Sequence, residues 1–557
     1  MGIVPAVAAD THTVSTTAEL EAAFASAASG DTIVIAAGTY YPLDTLDIGD
    51  RSLTIVGVGS GDTIIDGSHV VDQGKDFLLG RDDDSDVLVD LVAISGLTVR
   101  CYGEEGIEVG NATVIALNDC VATDTDDGFY IRLDEFTNAR LTMFYCSSYG
   151  NDGEGFSISI DDTTSLYFEM SYCHAYGNEE EGYDINIQDT TGLLCGFFYC
   201  SASNNENEGF EIDIETTDAS VNIIECSASF SGEEGFSLEF EGSSCTVDID
   251  GCIAHANGEA GMEVNSWDDN SDDGIYIYAC TFSGNDDEGI AVYADYQSSI
   301  YVSNVISFGN EYGIYADNDG TGNMAVSNCT VYGNDYGLGV YNDGDAEDPI
   351  GPTVLLLTNI ASSGNACSFF LEEDPYIATE GDFPVVSYCL FDDAQLEASG
   401  YDILPLFGDG ILFESPLFAQ PLTADFRPMA VSPLIDAGFD TSPTFYGRVL
   451  DDIRGIARPQ KNAYDIGAYE FNDVEPGLNP SGPATFKPLV STVLEQALIL
   501  WEDVLSQLPE EMTAEQEALV SAIQGRVEGA MMLGNPIAAA GALRQAMAEM
   551  QALLASL

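Results

Sequence analysis

The sequence predicts an all-β chain built as a single-stranded parallel β-helix, with three short strands per rung. An N-terminal capping helix precedes it and a small C-terminal α-helical bundle follows. Three observations carry this expectation. First, a glycine followed by a bulky apolar residue recurs at Gly128, Gly155, Gly182, Gly209, Gly235, Gly261, Gly289, Gly313 and Gly337, at intervals of 24 to 28 residues. A period of that length means one supersecondary unit stacked on copies of itself. Second, the residues after each glycine alternate with period two, the mark of a half-buried strand. Phe156, Ile158 and Ile160 oppose Ser157 and Ser159, and Phe210, Ile212 and Ile214 oppose Glu211 and Asp213. Third, cysteine returns in one slot, at Cys120, Cys146, Cys173, Cys200, Cys226, Cys252, Cys280 and Cys329.

Within a unit, the strand after the glycine is followed about ten residues later by a second, such as Leu166-Phe168-Met170 or Val247-Ile249. A third starts at the cysteine. The unit closes through a polar corner such as Gly150-Asn151, Gly177-Asn178 or Gly333-Asn334, residues that accept the left-handed backbone of a corner. No unit holds an apolar stripe of period 3.6, so helical and leucine-rich repeats fit worse. Parallel strands lie ~4.8 Å apart, so each slot forms a column along the axis. Phe129, Phe156, Tyr183, Phe210 and Phe236 are expected to stack inside as core.

At the amino end, Met1–Asp10 reads as the end of a signal peptide, with Ala6-Val7-Ala8-Ala9 as its small-residue cleavage region, and residues 1–11 are set apart from the fold on that basis. Thr16-Thr17-Ala18-Glu19 is a capping box opening a short helix with Leu20, Ala23 and Phe24 on one face. Thr32–Ile35 is expected as the first strand. The following Leu53–Gly57 and Thr63–Gly67 resemble the amino-terminal turns of pectin-lyase-like right-handed β-helix proteins. At the other end stand Ser432–Gly438, Asp452–Pro459 and Asp465–Glu470. Together they resemble the closing motif of the "choice-of-anchor Q" class of surface β-helix proteins. The resemblance covers roughly 12–471 and implies a right-handed β-helix displayed at a cell surface, extracellular, with variable attachment devices and no one activity. Asp436, Arg454, Arg458 and Asp465 are expected to form a charged cap network under the last rungs. Residues 472–486 read as a linker. Residues 487–557 carry three amphipathic stripes, starting at Leu489, Leu519 and Leu543, and read as a three-helix module for attachment or subunit contacts.

Charge is the second strong signal. Ninety-five Asp and Glu oppose 14 Lys and Arg, for a net charge of −81. No basic patch exists to displace counterions, which excludes nucleic acid as a partner and disfavours anionic lipid. No stretch approaches 18 apolar residues, so no transmembrane helix is expected. The charge concentrates directly before the repeat glycines, at Asp127, Glu154, Glu181, Glu208, Glu234 and, past Ala260, Glu288. Carboxylates stacked ~4.8 Å apart repel by about 0.9 kcal/mol in bulk water and about 3.5 kcal/mol at an effective dielectric of 20. Such a ladder needs high salt, partial protonation or cations. Two readings follow: a soluble face suited to a saline, halophilic habitat, or a ladder in which Ca²⁺ bridges neighbouring rungs. No motif demands a cofactor.

The cysteines of the repeat slot are read as free, buried thiols, with any disulfide to be sought among Cys101, Cys195, Cys245, Cys367 and Cys389. Asn111-Ala-Thr113 and Asn328-Cys-Thr330 are glycosylation sequons. For catalysis, Arg100, Arg132 and Arg140 are the available bases on the repeats, and Asp124, Asp126 and Asp127 resemble the paired acids of the polygalacturonase class. The accompanying Gly-His-Gly and Arg-Ile-Lys elements are missing. The expected function is therefore a non-enzymatic extracellular scaffold, a homo-oligomer or filament, sheath or surface-layer subunit. The alternative is a carbohydrate-active β-helix enzyme or glycan-binding adhesin.

Overall fold

In the computed structural model, the described residues are 9–70, 77–81, 87–101, 103–242, 245–268, 274–296, 298–318, 323–342, 354–373, 384–392, 396–398, 407–444 and 449–472. The linker from residue 473 on and the three-helix module fall outside them, as does Met1–Ala8. The chain divides into two units, Met1–Pro421 with Phe426–Val474, and Leu422–Asp425 with Glu475–Leu557. The first unit is the parallel β-helix that the repeat predicts.

Its strands form two long parallel sheets. One has fourteen described strands, most of them the segments that follow a repeat glycine, such as Phe156–Asp161, Tyr183–Thr190 and Phe210–Thr216. The other gathers the second and third strands of each rung, such as Tyr167–Ser171 and His174–Tyr176. Register is residue for residue: Phe129, Phe156, Tyr183, Phe210, Phe236 and Met262 pair in succession. The expected aromatic stack is present and buried, with ring centroids 4.4–4.9 Å apart and planes within 11°. The Tyr183 hydroxyl donates to the Ser201 carbonyl, so the one polar ring in the stack is satisfied.

The repeat glycine is explained by close approach. At Gly182 a Cβ would lie 2.6 Å from both the Asn205 Nδ2 and the Gly209 carbonyl oxygen of the next rung. The corner glycine has a different reason, since Gly177 sits at φ 65°. A second left-handed corner, not expected from the sequence, stands before each cysteine. On four rungs of the repeat slot it is occupied by Tyr145, Tyr172, Tyr199 and Glu225 at φ 54–56°, residue types that carry no turn signal, and on others by Asp119, Gly251, Ala279 and Asn328.

Beside the Gly corner runs a buried asparagine ladder. The Oδ1 of Asn178 accepts from both the backbone N–H and the Nδ2 of Asn151, and Asn205 does the same for Asn178. The pattern resumes through Asn257, Asn285, Asn310, Asn334 and Asn365. Ser231 interrupts it. There the Asn205 Nδ2 and the Ser231 Oγ, both buried, find no hydrogen-bond partner.

Two expectations about the ends need correction. Thr11–Val14 is already a strand, paired with Thr32–Ile35, so the first rung begins before the helix and inside the segment set apart as a leader. The helix α1, Thr17–Ser26, has Thr16 as its N-cap, accepting from the Glu19 N–H. The returning arm of the capping box reaches Ser15, whose N–H and hydroxyl both donate to Glu19. Leu20, Ala23 and Phe24 are buried as the pattern requires.

The closing segment lies along the corner column beside the rungs, not under them. Asn304 donates to the Asp451 carbonyl, Asn328 to Thr441 Oγ1 and Asn359 to the Phe439 carbonyl. Arg458, fully buried, pairs with Glu470 at 3.2 Å and donates to Asn304 Oδ1 and the Gly467 carbonyl. Arg454 pairs with Asp452 at 2.7 Å, and Asp465 accepts from the Asp436 and Phe471 N–H groups. The charged network is thus a lateral clamp. It also removes one sequon, because Asn328 is fully buried beneath it.

The ladder yields a direct test. Asn178→Ala strips an acceptor from two buried donors and should destabilise the chain by about 2 kcal/mol, seen as a lower thermal midpoint. Ser231→Asn supplies the missing acceptor and should raise the midpoint by an amount equivalent to about 1 kcal/mol.

Candidate functional site, an acidic ladder that turns aromatic

The outward face of the fourteen-stranded sheet and the loop leading into it gather the acids. Because the glycine must pass close under the next rung, the residue before it is held at the sheet edge, and its copies align. Glu154, Glu181, Glu208 and Glu234 stand in one column, as expected. The first outward residue of each following strand aligns beside it, in the registered series Ser157, Asp184, Glu211, Ser237 and Glu263.

These columns meet in three carboxylate groups: Glu154 with Glu180 and Glu181, Glu181 with Glu208 and Glu211, and Glu208 with Glu233 and Glu234. Within each, one oxygen per residue lies within 4.8 Å of the others. Oxygens so spaced need move by at most a few tenths of an ångström to touch one Ca²⁺ at its usual distance of about 2.4 Å. Glu181 and Glu208 each belong to two groups, so the three form a continuous chain. Glu180, Glu211 and Glu233 were not singled out from sequence. For Glu180 and Glu233 the signal was a run of consecutive acids and for Glu211 an outward strand position, and only the register shows which of them meets the ladder.

Two members of the expected ladder stand apart. Asp127 shares a hydrogen bond with Glu154 and takes no part in these groups. Glu288 is separated from them by Ala260, whose methyl group breaks the column. Burial and neighbouring carboxylates push several of these acids up: Asp127 to about 9, Glu208 to about 8, and Glu234 and Asp184 to about 7. In each case burial is the larger cause. Glu180 is raised chiefly by the Glu154 charge beside it.

Past Glu288 the same column changes character. Glu288 registers with Tyr312, and Tyr312 with Tyr336. The Tyr312 and Tyr336 rings stack at 4.6 Å, Tyr315 meets Tyr312 edge-on at 5.6 Å, and Phe370 lies 5.2 Å from Tyr336. Gly339 makes room for them, since a Cβ there would come within 2.9 Å of Tyr315 and 3.0 Å of Tyr312. All are half-buried. The signal was present in the sequence, where Tyr312 and Tyr336 take the place of the acid before Gly313 and Gly337.

The residues considered for catalysis are not brought together. Arg100 pairs with Asp66 at 2.9 Å, and the Arg140 guanidinium covers the Tyr167 ring. Arg132 registers with Ser159 on the exposed side of the sheet. All thirteen cysteines are free thiols, and all but Cys101 are buried. Cys389 belongs to the repeat slot after all, making the same contacts to carbonyls 3.7 Å and 3.2 Å away. The longer rungs between Cys329 and Cys389 hide its phase in the sequence.

The family model for the right-handed β-helix region matches residues 269–348. Solved structures to which the chain is similar include the A-module of a mannuronan C-5 epimerase from Azotobacter vinelandii. It is 16% identical over 68% of this chain and 96% of that one, with a TM-score of 0.41. A pectate lyase is 14% identical over 84% of this chain and 98% of its own, at a TM-score of 0.29. The tailspike protein gp49 of Pseudomonas phage LKA1 is 11% identical over 71% and 77%, at 0.39. No curated protein matches the chain. The chain is a right-handed parallel β-helix, and among the described residues no helix is long and apolar enough to cross a membrane.

The raised acids set a pH dependence. They hold protons in the folded chain up to about pH 7–9, whereas unfolded carboxyls release them near pH 4. The folded state therefore binds more protons across that window, and stability falls as pH rises through it. In a cation-free, low-salt buffer the thermal midpoint should be highest near pH 5 and decline steadily to pH 8. A rising midpoint over the same range would contradict the assignment.

Proposed function

We propose that this protein is a non-enzymatic, extracellular scaffold of the "choice-of-anchor Q" surface class, a rigid rod whose acidic face binds Ca²⁺. The observation that carries this reading is the chain of three carboxylate groups linked through Glu181 and Glu208. Hard divalent cations take six to eight oxygens, and each group offers three from rigid backbone positions, leaving further sites for water or a neighbouring subunit. Cations held there offset the ladder's repulsion and leave coordination sites that a second copy can fill, which favours assembly into a filament, sheath or surface layer. Residues 487–557 serve attachment or subunit contact in this proposal.

Calorimetric titration with Ca²⁺ tests the cation face. Glu181→Gln removes a ligand from two groups at once and should abolish most of the binding, while Glu288→Gln, outside them, should leave it intact. Without Ca²⁺, Glu181→Gln should raise the thermal midpoint, because one repelling charge is gone. Equal Ca²⁺ binding by both variants would sink the reading. Electron microscopy with and without a chelator then shows whether assembly depends on the ion.

A second reading, a glycan-binding adhesin, is favoured by the Tyr312–Tyr336–Phe370 platform at the end of the same face. Tyrosines with an apolar ring and a wet hydroxyl suit a ligand that is flat on one side and polar on the other. The adjoining acids disfavour uronic-acid polymers and leave neutral or aminated chains as ligands. On immobilised neutral polysaccharides, Tyr312→Ala with Tyr336→Ala should lower retention at least tenfold if this face binds glycan.

A further inference from the structure

The second strands of the rungs present one continuous outward surface along the rod. One registered column of it runs from Thr142 through Gly196 and Asp248 to Tyr301 and Leu356. On the later rungs the closing segment sits on this column, where Val449 and Tyr464 pack against the buried Tyr301 and Ala325. On the earlier rungs the same surface is open to solvent. Leu194 is 56% exposed and Tyr167 36%, and Phe144, Phe198 and Ile224 are half-buried beside them. The Phe198 ring lies across Gly196 and leaves no room for a Cβ there, so the apolar surface is even.

Charge is distributed differently here from the rest of the chain. Between Arg140 and Ile224 the outward positions of four second strands hold one base, Arg140, and one acid, Glu169. Both are engaged within the face. The Arg140 guanidinium covers the Tyr167 ring at 4.6 Å, and Glu169 accepts from the Tyr167 and Ser171 hydroxyls. Asp248 and Asp250 follow on the next rung, just before the seat of the closing segment.

We propose that this face binds a second copy of the chain, the two rods lying antiparallel about a two-fold axis along the Leu193–Phe198 strand. Two chains of net charge −81 repel strongly, and a neutral apolar face is where they can approach. A basic partner is drawn to the acidic sheet instead. The face also continues a surface that this chain already covers, on the later rungs, with its own closing segment. The choice of a copy as partner rests on the scaffold reading, but the contact uses none of the Ca²⁺ face.

Register decides the direction of pairing, because a two-fold contact sets each residue against a fixed counterpart. About the chosen axis, rungs exchange places and columns keep theirs. Leu194 and Phe198 meet their own copies, Glu169 faces Asn222 of the second copy, and Thr142 faces its Asp248. Each carboxylate thus meets a hydrogen-bond donor. An axis along the rod would instead set Glu169 against Glu169, a like-charge contact. Four rungs at ~4.8 Å and six residues at ~3.3 Å make a face of about 400 Å², the size at which exposed apolar patches mark interaction sites. A pair buries about 800 Å² in all, so the contact is weak and reversible and suits repetition in an assembly.

Sedimentation velocity of the full chain in chelator tests the pairing with Ca²⁺ bridging removed. The expected result is a monomer–dimer equilibrium that tightens about fivefold from about 0.1 to about 1 M NaCl, as the screening length falls from ~10 Å to ~3 Å. Leu194→Ser should weaken it about tenfold, since both copies lose the side chain on the axis. Leu43→Ser, equally exposed near the amino end, should leave it unchanged. A short bismaleimide reaches across the ~10 Å between packed sheets. It should link Leu194→Cys into dimers above the wild-type background, and should not link Leu43→Cys. Dimers in chelator, together with Ca²⁺ binding that Glu181→Gln leaves intact, would remove the cation reading and keep this one. A chain that stays monomeric in chelator at both salts, or that Leu194→Ser and Leu43→Ser affect equally, would overturn the proposal.

Discussion

In-register stacking at ~4.8 Å is the constraint on which the rest of this structure depends. Backbone N–H groups of one rung donate to carbonyls of the next through strands and corners alike, so no rung can shift without breaking bonds on both sides. Each side chain therefore meets its own counterpart above and below. For phenylalanine, isoleucine and cysteine this makes a continuous core with little void. For asparagine it makes a ladder in which amides give and receive from rung to rung, except at Asn205, where Ser231 breaks the run. The repeat glycine follows from the same geometry, since the chain passes within contact distance of the next rung's carbonyl and amide.

For carboxylates the identical arrangement is adverse. A column of glutamates at this spacing is held together by the strands and pushed apart by its own charge. The acids respond by retaining protons, as Asp127 and Glu208 do. The repulsion is concentrated on one face and confined to the middle rungs. Toward the end of the solenoid the same column passes to tyrosine, and the opposing energetics of the two stretches lie on one continuous surface. The corner column is likewise divided, with stacked tyrosines at Tyr145, Tyr172 and Tyr199, and asparagines clamped by the closing segment at Asn304, Asn328 and Asn359.

Much of the fold was legible because a repeat writes its period into the chain. The aromatic stack, the cysteine slot, the Gly-Asn corners and the acid before the glycine each follow from a residue type recurring at one phase. What was not legible lacked either a residue signature or a constant phase. The corner before the repeat cysteine is filled on four rungs by tyrosine or glutamate, which have no preference for a left-handed backbone, and by no constant residue type elsewhere. Cys389 slipped from view because the rungs around it are longer. Thr11–Val14 is too short to announce a strand until its partner Thr32–Ile35 is known.

The sequence by itself determined the solenoid, its core columns and the existence of a negative ladder, because these depend on periodicity and periodicity is a one-dimensional property. Tertiary structure alone decided which acids converge. Glu180, Glu211 and Glu233 join the ladder through register between rungs and through the direction of each loop, neither of which composition encodes. It also decided that the charged network of Arg454, Arg458, Asp465 and Glu470 clasps the side of the rod. That placement rests on contacts between residues more than a hundred positions apart, such as Asn304 with Arg458, and distance of that kind leaves no trace in a local pattern.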